Sequence, residues 1–92
     1  MRVEQVEIYS DTTNRAILRH PGRKFPGILI QGDTLHGLCR EADEACEGAR
    51  ASLDDENYSA LNELRNALWD YLAHYKNVLI EHDIELPFND KP

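Results

Sequence analysis

The chain has 92 residues, which is enough for one small domain and too few for a second. Ten Lys and Arg residues against seventeen Asp and Glu residues give a formal net charge of −7, and 41% of the residues are hydrophobic. This composition is typical of an acidic globular protein and excludes disordered and collagen-like chains. Apolar runs are too short for a membrane span or the core of a secretory signal, so we expect a cytoplasmic protein without membrane contact.

The first third of the chain is predicted to form strands. Apolar and polar residues alternate in part over Val3–Tyr9, and turn formers fill positions 10–14, which predicts a hairpin. Arg15–Arg19 would form the returning strand. Phe25–Gln31 is predicted as a third strand, separated from the second by a turn at Pro21–Gly22.

The remaining two thirds are predicted to form two helices. Asp33 would cap a helix over residues 34–48, and Ser52 or Asp54 would cap a longer one over residues 55–82. Leu68 lies at the centre of a wide apolar stripe on the second helix, so this helix should contact more than one neighbour. Beyond it, residues 83–92 form a tail that is expected to fray from Asn89 onward.

These elements together predict a single domain over residues 1–92. Its fold class is α+β, with a two- to three-stranded antiparallel sheet over about residues 3–31, followed by a helical hairpin whose second helix is long. Sheet and hairpin would supply the two layers that a small hydrophobic core requires.

Cys39 and Cys46 lie seven residues apart in the first predicted helix. That spacing is about 10.5 Å along a helix, whereas a disulfide needs Cα atoms within about 7 Å, so we expect two free, buried thiols. His36, Cys39 and Asp43 share one helix face, but no further ligand is near in sequence and no zinc motif is present. The sequence therefore predicts no metal site, no cofactor and no catalytic residue, and a protein that is not an enzyme.

Three segments of the chain carry a resemblance to a protein family. Residues 21–35 read Pro-Gly-Arg-Lys-Phe-Pro-Gly-Ile-Leu-Ile-Gln-Gly-Asp-Thr-Leu, and residues 82–87 read His-Asp-Ile-Glu-Leu-Pro. With residues 8–16, these segments make the chain resemble a family of small uncharacterised bacterial proteins. The resemblance implies a bacterial cytoplasmic protein and brings no activity, ligand or site residue with it.

Charge is distributed unevenly along the chain. Residues 1–40 carry six basic and four acidic groups, whereas residues 41–92 carry four basic and thirteen acidic groups. The acidic helices argue against nucleic-acid binding. Asp43, Glu44 and Glu47 belong either to a solvated helix face or to a docking surface for a basic protein partner.

The length of the second helix predicts a homodimer. About 28 residues make a helix of about 42 Å, longer than the diameter of about 30–35 Å expected for a domain of this size. Its apolar stripe continues toward the C-terminal end through Trp69, Leu72, Tyr75 and Leu79. A two-fold contact with a second copy would cover that end. The alternative is a monomer in which the tail segment Ile84–Phe88 folds back over the stripe.

The function most consistent with these features is a non-catalytic interaction module that self-associates or binds another protein. The alternative is a small-ligand-binding or regulatory domain that uses the segment Phe25–Thr34. The candidate residues for a ligand or basic loop are Arg23, Lys24, Phe25, Gln31 and Asp33.

Overall fold

A computed structural model describes residues 1–90 of the chain, and Lys91 and Pro92 of the predicted tail lie outside the described residues. The elements in chain order are β1 (Glu7–Ser10), β2 (Arg15–Arg19), β3 (Gly27–Ile30), α1 (Gly32–Ala49) and α2 (Asp55–Glu81). The predicted α+β fold is confirmed. The elements fall into two compact units, residues 1–31 with the sheet and the residues from 32 onward with the helices. The single domain over residues 1–92 stays a prediction.

The sheet unit is a three-stranded antiparallel meander in the order β1-β2-β3. Its first strand begins at Glu7, four residues later than predicted, because its pairing with β2 ends where Glu7 meets Arg19. Residues 3–6 of the alternating segment therefore have no strand partner within residues 1–90, and Val3 is exposed. The pairing also shifts between Ile8 and Ser10, which marks a β-bulge.

The turn between β2 and β3 forms where the sequence predicts it. Gly22 has φ +84°, a left-handed conformation that glycine adopts without steric cost, and the Arg23 N–H donates to the His20 carbonyl at 3.0 Å. The third strand is shorter than its prediction and begins at Gly27. Pro26 has no N–H to donate to the ladder, which explains this later start.

The helical unit is an α1–α2 hairpin. The first helix begins at Gly32, so Asp33 lies inside its first turn and is not the cap that the sequence suggested. At the second helix the cap is Asp54, whose side chain accepts from the Asn57 N–H at 2.7 Å, as one of the two predictions had it.

Cys39, Cys46 and Leu72 are buried in this hairpin. Both cysteines are free, as predicted. Burial raises the pKa of the Cys39 thiol, and the negative charge of Asp43 adds to the effect. A thiol held in its neutral form is a poor nucleophile, so Cys39 has the character of a small core residue.

Two glycines of α1 should respond oppositely to alanine. A Cβ at Gly32 would overlap the ring of Tyr75, whereas a Cβ at Gly37 would meet nothing. We expect Gly32→Ala to lower the free energy of unfolding by about 1–3 kcal/mol through overpacking. Gly37→Ala should raise it by about 0.5–1 kcal/mol because alanine restricts the unfolded chain and favours the helix. Urea denaturation measures both, and equal changes in the two variants would contradict the close packing at Gly32.

Candidate interaction surfaces

The sheet unit exposes apolar side chains on both faces. Residues directly opposite in neighbouring strands share a face, and Ile17 pairs with Ile28 while Ala16 pairs with Leu29. Ile28 and Leu29 therefore lie on opposite faces, and they are 63% and 54% exposed. All four residues of β3 are exposed, and so is Ile8 on β1. Apolar surface of this kind is typical of a contact site on a protein surface.

The two edges of this sheet differ. At the β1 edge, Glu7 forms an ion pair with Arg19 and accepts from the Tyr9 hydroxyl at 2.6 Å, and the bulge lies beside it. The hydrogen bond from Tyr9, followed by that from Arg19, lowers the pKa of Glu7. The β3 edge, by which we mean the side of residues 27–30 turned away from β2, carries no charged residue. Within residues 1–90 its backbone groups have no hydrogen-bond partner outside the ladder with β2.

The residues predicted for a ligand or basic loop are only partly brought together. Arg23 and Phe25 line an open depression of about 290 Å³ on the sheet unit, and Phe25 is 72% exposed. The Lys24 ammonium lies 5.4 Å from the Phe25 ring centroid. Gln31 and Asp33 do not line this depression; Asp33 belongs to α1, where its carboxylate accepts from the Thr34 N–H at 2.9 Å.

The helical unit has a cleft of about 370 Å³ between its helices and the tail. Trp69 Nε1 donates to Asp43 Oδ1 at 2.9 Å, and Arg65 Nη1 lies 3.6 Å from the same oxygen. Arg65 Nε is buried and has no hydrogen-bond partner among the described residues. The cleft is lined by His36, Arg40, Asp43, Trp69, Lys76, Asn89 and Asp90.

The C-terminal tail folds back onto this hairpin. The Phe88 ring stacks on the His36 ring with centroids 4.2 Å apart and an interplanar angle of 2°, and Asp90 forms an ion pair with Lys76. Residues 84–86 form no strand. Asn89 and Asp90 both line the cleft, and the fraying expected from Asn89 onward stays a prediction. The tail contacts run to His36 of α1 and Lys76 of α2, while Ile80 near the C-terminal end of α2 stays 61% exposed, so the tail-capped monomer and the dimer both remain predictions.

The residues predicted to form a dimer through α2 are instead buried or half-buried within the α1–α2 hairpin. Leu72 has 0% exposure, so its assignment to an interaction surface is corrected: it cannot reach a partner while the hairpin is closed. Trp69 is held by Asp43, Tyr75 lies against Gly32, and Leu79 is half-buried. Three large apolar residues of α2 are more than half exposed: Leu64, Tyr71 and Ile80, at 59%, 69% and 61%.

The three acidic residues predicted to bind a basic partner differ in their exposure. Asp43 is half-buried and accepts the Trp69 hydrogen bond, so it is engaged within the hairpin. Glu44 and Glu47 are exposed and form no ion pair among residues 1–90. Only these two of the three carboxylates remain open to a basic protein.

Within residues 1–90, no group of three or more His, Cys, Asp or Glu side chains is arranged to hold a metal ion. Neither described helix combines the length and apolar character needed to cross a bilayer.

Comparison with curated proteins and with solved structures found no match. The sequence profile of a family of unknown function, DUF6959, matches residues 1–88, and the chain therefore belongs to that family.

Proposed function

We propose that this protein is a non-catalytic interaction module that self-associates as a homodimer in the bacterial cytoplasm. The observation that carries the proposal is the exposed three-stranded sheet of residues 7–30, whose apolar side chains face outward on both sides. Two free, buried thiols suit a reducing compartment, which supports the cytoplasmic location.

The exposed sheet supports a partner on energetic grounds. Burying a Leu, Ile or Phe side chain contributes about 1.5–3 kcal/mol relative to leaving it in water. Phe25, Ile28 and Leu29 are each more than half exposed, so much of that contribution is available to an association. Isolated two-stranded hairpins are marginally stable in water, and sheets gain stability from additional strands. A second copy that places its apolar side chains beside those of this sheet would bury part of this surface.

The helical unit supports a role without catalysis. In its cleft, Asp43 accepts from the Trp69 indole and Asp90 pairs with Lys76, so both carboxylates that line the cleft are engaged within the helical unit. The buried thiol nearby, Cys39, has a raised pKa and is disfavoured as a nucleophile. The side chains in these two contacts hold the helices and the tail together, so they are poorly placed to act on a substrate.

Each of two alternative functions is supported by one observation. The depression at Arg23 and Phe25 favours a small anionic or aromatic ligand, and the exposed Glu44 and Glu47 favour a basic protein partner. The depression is lined in part by Ile28 and Leu29 of the same sheet, and exposed carboxylates such as Glu44 and Glu47 contribute little to binding because water solvates them well. Self-association is therefore the stronger proposal.

Light scattering coupled to size exclusion tests self-association. We expect the mass to rise from one chain, 10.6 kDa, toward twice that value as concentration increases. The protein concentration should span about 1 µM to about 1 mM. Dimers with dissociation constants in that range have association free energies of about −8 to −4 kcal/mol. The double variant Ile28→Lys with Leu29→Lys should remain monomeric, because it places a charge on each face of β3.

The matched control is Leu64→Lys, at an exposed apolar position of α2. This variant should dimerise like the wild type. A wild-type mass of one chain across the whole range would overturn the proposed function, whereas dimers that form equally well without Ile28 and Leu29 would show that a surface other than the sheet carries self-association.

A further inference from the structure

We propose that the second copy joins edge to edge through β3, antiparallel and with the two-fold axis at Leu29, so that the two sheets become one of six strands. This inference rests on the proposed self-association and specifies its interface. The two sheets would share one ladder of backbone hydrogen bonds.

The first argument is the difference between the two edges. Natural sheets block their free edges with charged side chains, bulges or proline, because unpaired N–H and C=O groups otherwise recruit another strand. The β1 edge has both a bulge and the charged Glu7. The β3 edge has neither, and its four residues Gly27–Ile30 are exposed and uncharged. Strand addition is therefore favoured at β3.

The second argument is that β3 is complementary to itself. A two-fold axis perpendicular to a sheet places residues of the same face opposite each other. With the axis at Leu29, this residue meets its own copy, and Ile28 meets Ile30 of the second copy. Apolar side chains then pair on both faces, and no like charges oppose each other. With the axis at Ile28, Pro26 would enter the paired stretch, and it has no N–H to donate.

The third argument concerns the competing surface on α2. Leu64, Tyr71 and Ile80 are exposed, but each has a carboxylate residue next to it in the chain, namely Glu63, Asp70 and Glu81. The segment of residues 32–92 carries fourteen Asp and Glu against five Lys and Arg, so joining two helical units through α2 brings like charges together. Residues 1–31 carry five basic and three acidic groups, none of them in β3. Electrostatics thus favours contact through the sheet.

A cysteine placed on the two-fold axis tests the interface directly. Cα atoms of directly opposed residues in antiparallel strands lie about 4.5 or 5.5 Å apart, inside the range of about 4.4–6.8 Å for disulfides. We expect full-length Leu29→Cys to form a covalent dimer under mild oxidation, which doubles its mass on a non-reducing gel from 10.6 kDa. Reduction should return it to the mass of one chain.

Two matched variants serve as controls. Ile8→Cys places a thiol on the β1 edge, and Tyr71→Cys places one on the exposed side of α2; both parent residues are more than half exposed. Neither variant should cross-link appreciably. The wild type should stay uncross-linked because Cys39 and Cys46 are buried.

The outcomes separate the interface from the proposed function. If the wild type is dimeric by light scattering but the covalent dimer forms with Tyr71→Cys or Ile8→Cys and not with Leu29→Cys, edge pairing through β3 is wrong and self-association stands. If the wild type is monomeric up to about 1 mM, corresponding to binding weaker than about −4 kcal/mol, both proposals fail.

Discussion

Truncation of Leu72 to alanine is expected to lower the free energy of unfolding by about 2–5 kcal/mol. Leu72 is fully buried in the α1–α2 hairpin, together with Cys39 and Cys46. Removing its side chain leaves a cavity that closely packed neighbours fill only partly, and this adds to the lost burial of apolar surface. Urea denaturation followed by circular dichroism measures the change in midpoint.

The matched control for Leu72 is Leu64→Ala on the same helix, where the side chain is 59% exposed. Surface substitutions of this kind usually change stability by less than about 0.5 kcal/mol. A similar loss at both positions would mean that the hairpin packs with a different face of α2 toward α1.

Replacement of Trp69 by phenylalanine is expected to cost about 1–3 kcal/mol. The indole N–H donates to the Asp43 carboxylate at 2.9 Å, so its loss removes a charge-assisted hydrogen bond between the two helices. Asp43 keeps the more distant Arg65, at 3.6 Å. Chemical denaturation followed by circular dichroism is the suitable measurement, since Trp69 is the one tryptophan of the chain and fluorescence is lost with it.

A double-mutant cycle separates this hydrogen bond from the packing of the ring. Trp69→Phe, Asp43→Ala and the double variant should show a coupling energy of about 0.5–3 kcal/mol. Additive losses would show that Asp43 and Trp69 do not stabilise each other. The remaining effect of Trp69→Phe would then come from ring packing alone.

Local signals account for the parts of the fold that the sequence predicts well. The turn at Pro21–Gly22, the cap at Asp54 and the uninterrupted helix that follows are each specified by residues close together in the chain. Strand lengths are less local. The alternating residues from Val3 predict a strand, but β1 begins at Glu7 because a strand extends only as far as its partner.

The candidate surfaces are harder to derive because they depend on how the helices are rotated against each other. The apolar residues of α2 include both Leu64 and Leu72, and only the packing of α1 decides that Leu72 is buried and Leu64 exposed. Asp43 reads as one of several solvated carboxylates, yet that rotation makes it the acceptor for Trp69. The exposed β3 edge is invisible in sequence for a related reason, since Ile28–Ile30 resembles a buried strand.

The return of the tail has a consequence for the order of folding. The contact between His36 and Phe88 joins the second turn of α1 to a residue beyond α2, and it closes a loop that contains most of the helical hairpin. Closing a long loop costs more entropy than forming contacts between neighbours in sequence. The helices should therefore pair first, and the tail should dock last and detach first, so that the cleft opens before the hairpin unfolds.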